Sequence, residues 1–235
     1  MWNILAPEDI PSRNKGEAAL FHGMQACLKA LEGYTFTLFS LHPEEDRLPY
    51  GPEATVLDAR GITPAHMLDG QGSLPAKAHN YMRFFGRHLG FLVTHKMGRA
   101  LARKMTQREI WQSYEAADAV LLAHDSFYTP LYHGFLLFFF RCLGKPTMIF
   151  AATIRPPGRS EGRLKTWLYN RINRWALKQA TLITLREPRS QAYLQRLGID
   201  KAVVHPDVAF AMPPAPESRV NEIWREHKLP GEGVI

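Results

Sequence analysis

Short, continuously apolar segments alternate with longer amphipathic ones along most of the chain, and this alternation limits the fold more than any other feature. The segments between the apolar runs repeat apolar residues every three or four positions, which is typical of helices. A strand that is apolar on both faces is buried on both faces, as in a parallel sheet covered by helices. The sequence therefore predicts an α/β fold built on a parallel sheet. Strands are predicted at 2–6, 35–41, 54–59, 118–123, 146–152, 181–185 and 202–205, and helices at 17–32, 76–105, 107–117, 163–180 and 188–197 and within 128–144.

A proline-rich segment, AMPPAPESR at 211–219, interrupts this alternation near the end of the chain. Such a segment is typical of a hinge between structural units. A helix pattern follows it, and the last residues, PGEGVI, have the pattern of a strand that is just beginning. We therefore predict a domain over 1–212, a hinge and linking helix over 213–230, and the truncated start of a second domain over 231–235. On this interpretation the sequence is a fragment or lacks its second domain.

The net charge of +7 is unevenly distributed along the chain. The stretch between Asp69 and Glu109 contains only cationic charged residues. This pattern indicates an anionic surface or substrate, or else an ordinary solvated helix face. No apolar run reaches the roughly 18–20 residues that cross a bilayer, and the N-terminus lacks a signal-peptide pattern. Cys27 and Cys142 lie in apolar helix patterns, which predicts two core thiols in a reducing cytoplasm.

Polar and charged side chains gather immediately after the predicted strands. In open parallel sheets, ligands bind beyond the carboxyl ends of the strands, so these positions form the candidate site. Cations predominate among them, which predicts an anionic ligand. The positions are Arg13, Asn14, Lys15 and Gly16 after the first strand, followed along the chain by His124, Asp125, Ser126, Thr153, Arg155, Arg186, Glu187 and Asp207.

Two of these strand ends have a specific chemistry. Gly16 lets the backbone approach a ligand closely, and Lys15 adds a charge where helix N–H groups face an anion. The alternative is an ordinary turn in which Asn14 caps the helix. Arg186 precedes a helix that starts with Pro188, and its planar guanidinium can hold a carboxylate or phosphate by two hydrogen bonds. The alternative there is a weak surface ion pair with a glutamate.

Other features have less specific explanations or exclude whole classes of site. Asp125 and Ser126 contact the ligand or cap the next helix, and Asp207 contacts it or lies in a turn. The histidines show no metal-ligand spacing, so no metal site is predicted. The Walker, dinucleotide-binding and nucleophile-elbow motifs are absent, and no nucleic-acid-binding module is present.

Four segments together resemble the polysaccharide pyruvyl transferase family over about 1–212. They are RNKGEAALFHGM, ADAVLLAHDS, GKPTMIFAATIRP and, most specifically, ITLREPRSQAYLQRLGI with the later VHPDVAFAM. Three departures from the family pattern are visible. His124 and Asp125 replace a glycine pair, Ile154 and Arg155 replace small residues in a tight turn, and the family's Asp-Pro-Ala-Phe reads Asp207-Val208-Ala209-Phe210.

The resemblance implies a Rossmann-like sheet that forms the N-terminal half of a two-domain transferase of the GT-B type. It also implies transfer of the enolpyruvyl group of phosphoenolpyruvate to a sugar hydroxyl, which yields a pyruvate ketal and phosphate. Phosphoenolpyruvate is then a co-substrate, and no further cofactor is expected. Arg186 and Asp125 are the expected catalytic residues, and the general acid or base is expected in the second domain, so this chain alone is expected to be inactive. The expected substrate-binding residues are Asn14, Lys15, Gly16, Glu17, Ser126, Thr153, Arg155, Ser190 and Asp207.

The expected partner is a saccharide acceptor, free or lipid-linked, in the synthesis of cell-surface polysaccharide. No nucleic acid is expected. The acid-free helix at 76–108 predicts a peripheral contact with an anionic membrane, which places a cytoplasmic protein at the inner membrane face. Two alternatives stay open. One is a GT-B-like glycosyltransferase that uses a nucleotide sugar, and the other is a non-catalytic saccharide- or anion-binding relative.

Overall fold

The architecture is that of an open α/β sheet with helices on both faces. The computed structural model describes residues 1–29, 33–50, 54–60, 62–63, 73–97, 108–122, 130–158 and 162–228. The strands are β1 (Trp2–Asp9), β2 (Tyr34–Ser40), β3 (Ala54–Asp58), β4 (Ala119–Leu122), β5 (Thr147–Ala152), β6 (Leu182–Leu185) and β7 (Ala202–Val204). The helices are α1 (Lys15–Leu28), α2 (Pro43–Tyr50), α3 (Leu74–Met97), α4 (Arg108–Ala116), α5 (Pro130–Cys142), α6 (Arg163–Gln179), α7 (Pro188–Arg196) and α8 (Glu217–Glu226), with a 3-10 helix at Val208–Ala211.

All seven strands pair in parallel in the order β3-β2-β1-β4-β5-β6-β7. The chain order therefore reverses between β1 and β4, which is the switch point of a Rossmann-like sheet. This confirms the predicted α/β class and the parallel sheet. The two-domain GT-B arrangement stays a prediction. Residues 231–235, the predicted start of a second domain, lie outside the described residues. Within the described ranges, no helix combines the length and the apolar character that crossing a membrane requires.

Each face of the sheet has its own apolar core. One core joins the sheet to α3, α4, α5, α6 and α7, and its largest fully buried side chains include Trp111 and Tyr114. The other joins the sheet to α1, α2 and the 3-10 helix through Phe21, Tyr50 and Val208. Because the two helical layers lie on opposite faces, the carboxyl edge of the sheet opens between them and stays accessible to a ligand.

Several local features differ from the sequence-based expectations. Strand β1 continues to Asp9 instead of ending at residue 6, because a register shift between Ala6 and Asp9 accommodates Pro7 without a ladder hydrogen bond. Helix α2 and the 3-10 helix were not predicted. The prediction of two core thiols was wrong, because the free thiols Cys27 and Cys142 are both exposed. The buried stripe of α1 passes through Phe21 and Met24 and leaves Cys27 outside it.

A completely buried histidine lies in the larger core. His88 Nδ1 lies 2.8 Å from the Phe84 carbonyl oxygen, which can only accept, so this nitrogen carries the proton. Nε2 then accepts from the Tyr114 hydroxyl at 3.1 Å. Burial lowers the pKa of His88 to about 4. The folded protein therefore holds this ring neutral under conditions in which an unfolded chain would protonate it.

We expect this histidine to make the protein less stable in mild acid. An unfolded histidine with a pKa of 6.5 takes up a proton that the folded form refuses, so stability falls as the pH decreases from 6.5 toward 4. Between pH 7.5 and 5, the free energy of unfolding should decrease by about 2 kcal/mol through His88 alone. Urea unfolding of the wild type and of His88→Gln across this range measures the difference. His227→Gln, at the exposed end of α8, is the matched control and should keep the wild-type pH dependence.

Candidate active site

A pocket of about 370 Å³ opens at the carboxyl edge of the sheet. It lies between the start of α1, the end of β6 and the segment that follows β7. Five of the predicted site residues line it, although they come from three separate parts of the sequence. Its described lining residues are Asn14, Gly16, Glu17, Ala19, Leu20, Arg186, Asp207 and Ala209.

Arg186 is held in a fixed orientation at this pocket. Its Nη1 donates to Asp207 Oδ2 at 2.9 Å. Its Nε and Nη2 both donate to Thr153 Oγ1, at 3.3 and 3.0 Å. The guanidinium plane is therefore fixed from two sides, by the ends of β5 and β7. It forms an ion pair with Asp207, in which both side chains are about a quarter exposed.

Asp207 reaches this position because of an unusually close helix contact. Its Oδ1 accepts from the Ala209 N–H at 3.0 Å and so caps the 3-10 helix, while Oδ2 binds Arg186. The 3-10 helix lies directly on α1 at Gly23, where an added Cβ would lie 1.9 Å from the Val208 carbonyl oxygen. Only glycine permits this approach. Asp207 is thus both a turn residue and a member of the pocket.

Asn14 is the N-cap of α1. Its Oδ1 accepts from the N–H groups of Gly16 and Glu17 at 3.1 and 3.5 Å, and its Nδ2 donates to Glu17 Oε1 at 2.9 Å. This reciprocal arrangement satisfies N–H groups that the sequence analysis assigned to an anion. The capping alternative is therefore what the structure shows, and Asn14 and Glu17 line the pocket together with Arg186.

The end of β5 contains a strained residue. Ala151 is fully buried and has φ +52°, a left-handed conformation that costs free energy for any residue other than glycine. The register of β5 against β6 shifts at this point, and the Thr184 hydroxyl accepts from the Ala151 N–H at 2.7 Å. This irregularity directs the next segment, with Thr153, toward Arg186.

The structure does not bring every predicted residue to the pocket. Lys15 and Arg155 are exposed and are not among its described lining residues. Ser190 is fully buried, where it donates to Glu187 and accepts from the Ile154 N–H at 3.0 Å, so it holds the β5 and β6 turns together. The predicted Asp125 and Ser126 lie outside the described residues.

The described lining of this pocket has a mixed charge, unlike the mainly cationic set of strand-end positions as a whole. Its described lining residues include one arginine and two carboxylates, Glu17 and Asp207. Amide and carboxylate oxygens accept hydrogen bonds from hydroxyl groups, so this lining suits a polyhydroxylated ligand as well as an anion. Among the residues that the structure describes, no three histidine, cysteine, aspartate or glutamate side chains are grouped so that they could hold a metal ion.

Sequence reasoning missed three buried ionisable residues at the carboxyl end of β1. Glu8 Oε1 lies 2.9 Å from His133 Nε2, and both side chains are about nine-tenths buried. Asp9 accepts from the Leu41 N–H at 2.7 Å, and burial raises the pKa of its carboxyl group. Two adjacent carboxylates, Glu8 and Asp9, are visible in the sequence, but the predicted strand stopped at residue 6 and so did not place them at the sheet edge. None of the three lines the pocket in the described structure, and the Glu8–His133 pair joins β1 to α5.

The sheet topology defines a Rossmann-like α/β protein with a polar pocket at the carboxyl edge of its sheet, the edge at which ligands of such sheets bind. The family model for polysaccharide pyruvyl transferase matches residues 14–233, and the chain belongs to that family of transferases. A comparison with curated proteins found no match. The family match covers nearly the whole chain and does not support the expectation of an inactive fragment.

Proposed function

We propose that this protein transfers the enolpyruvyl group of phosphoenolpyruvate to saccharide hydroxyls, forming a pyruvate ketal during the synthesis of cell-surface polysaccharide. Family membership supports the transferase class. The observation that carries the proposal further is the orientation of Arg186, which Thr153 and Asp207 fix at the rim of a pocket shared with the start of α1. A pre-oriented guanidinium beside hydroxyl-binding side chains suits an anionic donor and a sugar acceptor in one site.

The reaction requires specific changes of bonding. The alkene carbon of the donor gains a proton and becomes a methyl group, the neighbouring carbon forms two C–O bonds to two sugar hydroxyls, and its bond to the phosphate oxygen breaks. One hydroxyl proton is retained in the methyl group and the other leaves with phosphate. Stabilising the departing phosphate requires positive charge, and forming the methyl group requires an acid.

The described residues take two roles in this proposal. Arg186 binds the anionic end of the donor, and Asp207 with Thr153 holds the guanidinium in place. Asn14 and Glu17 accept or donate hydrogen bonds to acceptor hydroxyls. Asp125 is proposed to orient the attacking hydroxyl, and none of the described residues is assigned as the acid. The proposed setting is the cytoplasm, at the inner face of the membrane.

An acceptor screen tests this function. We expect the purified protein to release phosphate from phosphoenolpyruvate only when a suitable acceptor is present, among a panel of nucleotide-linked and lipid-linked sugars. The product should be heavier than the acceptor by one pyruvate less one water, as mass spectrometry can show. An acceptor sugar with all hydroxyls but one blocked is the negative control, because a single hydroxyl cannot close a cyclic ketal.

Other outcomes identify the alternatives. Consumption of a nucleotide sugar, with no use of phosphoenolpyruvate, would mean that the protein is a glycosyltransferase. Binding of saccharide or phosphoenolpyruvate in calorimetry, without turnover of any donor, would mean a non-catalytic relative. Either result would contradict the proposed reaction.

A further inference from the structure

The outer face of α6 carries large apolar side chains that no part of the described structure covers. Leu164, Trp167 and Leu168 are 77%, 55% and 51% exposed. They lie at spacings of three and four residues, so they form one stripe over the first two turns of the helix. The opposite side of α6 is firmly packed, since Ala176 and Leu177 are fully buried. The orientation of the exposed stripe is therefore fixed by the core and is not a consequence of loose packing.

Positive charge surrounds this stripe. Helix α6 contains no acidic residue and five cations, Arg163, Lys165, Arg171, Arg174 and Lys178. The Arg171 guanidinium lies over the Trp167 ring, 5.1 Å from its centroid. A groove of about 500 Å³ begins at Trp167 and runs between α6 and the end of α7. Its described lining residues include Arg171, Arg174 and Arg196 and no carboxylate.

We propose that α6 docks the protein on an anionic membrane surface. Leucine and tryptophan side chains enter the boundary between headgroups and acyl chains, while arginine and lysine bind lipid phosphates beside them. The arginine groove next to Trp167 has the size and charge for headgroup phosphates. The inference does not depend on the proposed reaction, because it rests on a surface of α6 and α7 and not on the pocket at Arg186.

The charge pattern favours a membrane over a second copy of this chain. In a two-fold dimer, the same patch meets itself. The cations of α6 would then face the same cations of the partner, and α6 itself contains no carboxylate to separate them, which is strongly unfavourable in an apolar contact. An anionic bilayer provides both the apolar layer and the missing negative charge.

The surface differs from the one predicted from the sequence. In α3, one side of the helix packs against the core through Phe84, His88 and Phe91. Its exposed apolar side chains are Met82, Leu89 and Val93. Helices α3 and α6 contribute to the same core and thus cover the same face of the sheet. Much of the predicted cationic stretch, 98–107, lies outside the described residues. We therefore place the principal membrane contact on α6 and test α3 separately.

Vesicle binding of the purified protein tests the proposal. We expect co-sedimentation with phosphatidylcholine vesicles that contain phosphatidylglycerol, no binding without the anionic lipid, and loss of binding in high salt. Arg171→Gln with Arg174→Gln should lower the partition coefficient about thirtyfold, or about 1 kcal/mol for each charge at the surface. Leu164, Trp167 and Leu168 replaced together by serine should lower it at least about tenfold. Because all five residues are exposed, the thermal midpoint should stay near that of the wild type.

Matched variants make the result decisive. Lys29→Gln with Arg47→Gln removes the same number of charges from the helices on the opposite face and should change the partition coefficient by less than about threefold. Brominated lipid should quench the fluorescence of wild-type protein more than that of Trp167→Phe. Unchanged vesicle binding in both α6 variants would overturn the proposal. This holds even if an α3 variant, with Met82, Leu89 and Val93 replaced by serine, binds the vesicles more weakly. Sedimentation velocity tests the other candidate partner. The proposal would also be overturned if the wild type were a dimer and the serine variant of α6 a monomer, with the same vesicle binding in both. A second copy of the chain would then be the partner of α6.

Discussion

Replacing Arg186 by methionine is expected to lower kcat/KM for phosphoenolpyruvate about a hundredfold or more, which corresponds to roughly 3 kcal/mol. The methionine side chain has similar length, but it removes the charge that binds the donor and leaves Asp207 without its ion-pair partner. Arg186→Lys should lower kcat/KM at least about tenfold, or roughly 1.4 kcal/mol. Lysine keeps the charge, but a single ammonium group cannot reproduce the planar fork that binds Thr153 and Asp207 together.

Initial rates at varied donor concentration separate two effects of losing Arg186, weaker donor binding and weaker stabilisation of the transition state. Loss of donor binding alone should appear mainly in KM, and loss of phosphate stabilisation in the transition state should appear in kcat as well. Arg141→Lys is the matched control, because Arg141 is exposed on α5 and pairs with Gln179 away from the pocket. Near-normal kinetics in a folded Arg186→Lys protein would contradict the assignment of Arg186 to the donor.

The sheet was predictable because its strands are short, continuously apolar and separated by helical patterns. The prediction of α6 and α7 was nearly complete, since both show apolar residues at helical spacing on one side. The prediction of β1 was wrong at its carboxyl end, because tertiary structure overrode a local rule. Pro7 normally ends a strand, yet β1 passes it through a register shift and places Glu8 and Asp9 at the carboxyl edge.

Helix α2 was missed for a similar reason. Its sequence, PEEDRLPY, is strongly charged and contains a second proline, so it has no apolar periodicity. The helix is held by contacts distant in sequence. Asp46 accepts from the Ser12 N–H at 2.8 Å and from the Ser40 hydroxyl at 2.5 Å, and the Tyr50 hydroxyl donates to the Ile10 carbonyl at 2.7 Å. Sequence patterns cannot show such contacts, because each depends on where one particular polar atom lies in the folded chain.

Some of the residues around the candidate pocket were predictable, but their pairing was not. The rule that ligands bind at strand ends correctly identified positions 14, 186 and 207 as neighbours at one edge. It could not show that Asp207 neutralises Arg186, nor that Asn14 uses its own side chain to cap α1. The ion pair depends on where the 3-10 helix docks, and that position is set by the absence of a side chain at Gly23.

Replacing Gly23 by alanine is therefore expected to affect both stability and the site. The new Cβ would overlap the Val208 carbonyl oxygen at 1.9 Å, and because this neighbour is backbone, it cannot rotate away as a side chain could. The 3-10 helix must shift from α1, which exposes the buried Val208 and moves Asp207 relative to Arg186. We expect the free energy of unfolding to decrease by about 3 kcal/mol or more, and kcat/KM for phosphoenolpyruvate to decrease in the protein that remains folded.

A second glycine-to-alanine substitution isolates the cause. Gly86 lies inside α3 with open space where a Cβ would be, so Gly86→Ala should stabilise the protein slightly, by up to about 1 kcal/mol, through helix propensity alone. Urea unfolding of both variants provides the comparison, and kinetics below the unfolding transition test the effect on the site. If Gly23→Ala were as stable as the wild type, the 3-10 helix would not be held against α1 by this close contact. If it were unstable but fully active when folded, the position of Asp207 would not matter to Arg186, and the ion pair would have no part in orienting the guanidinium.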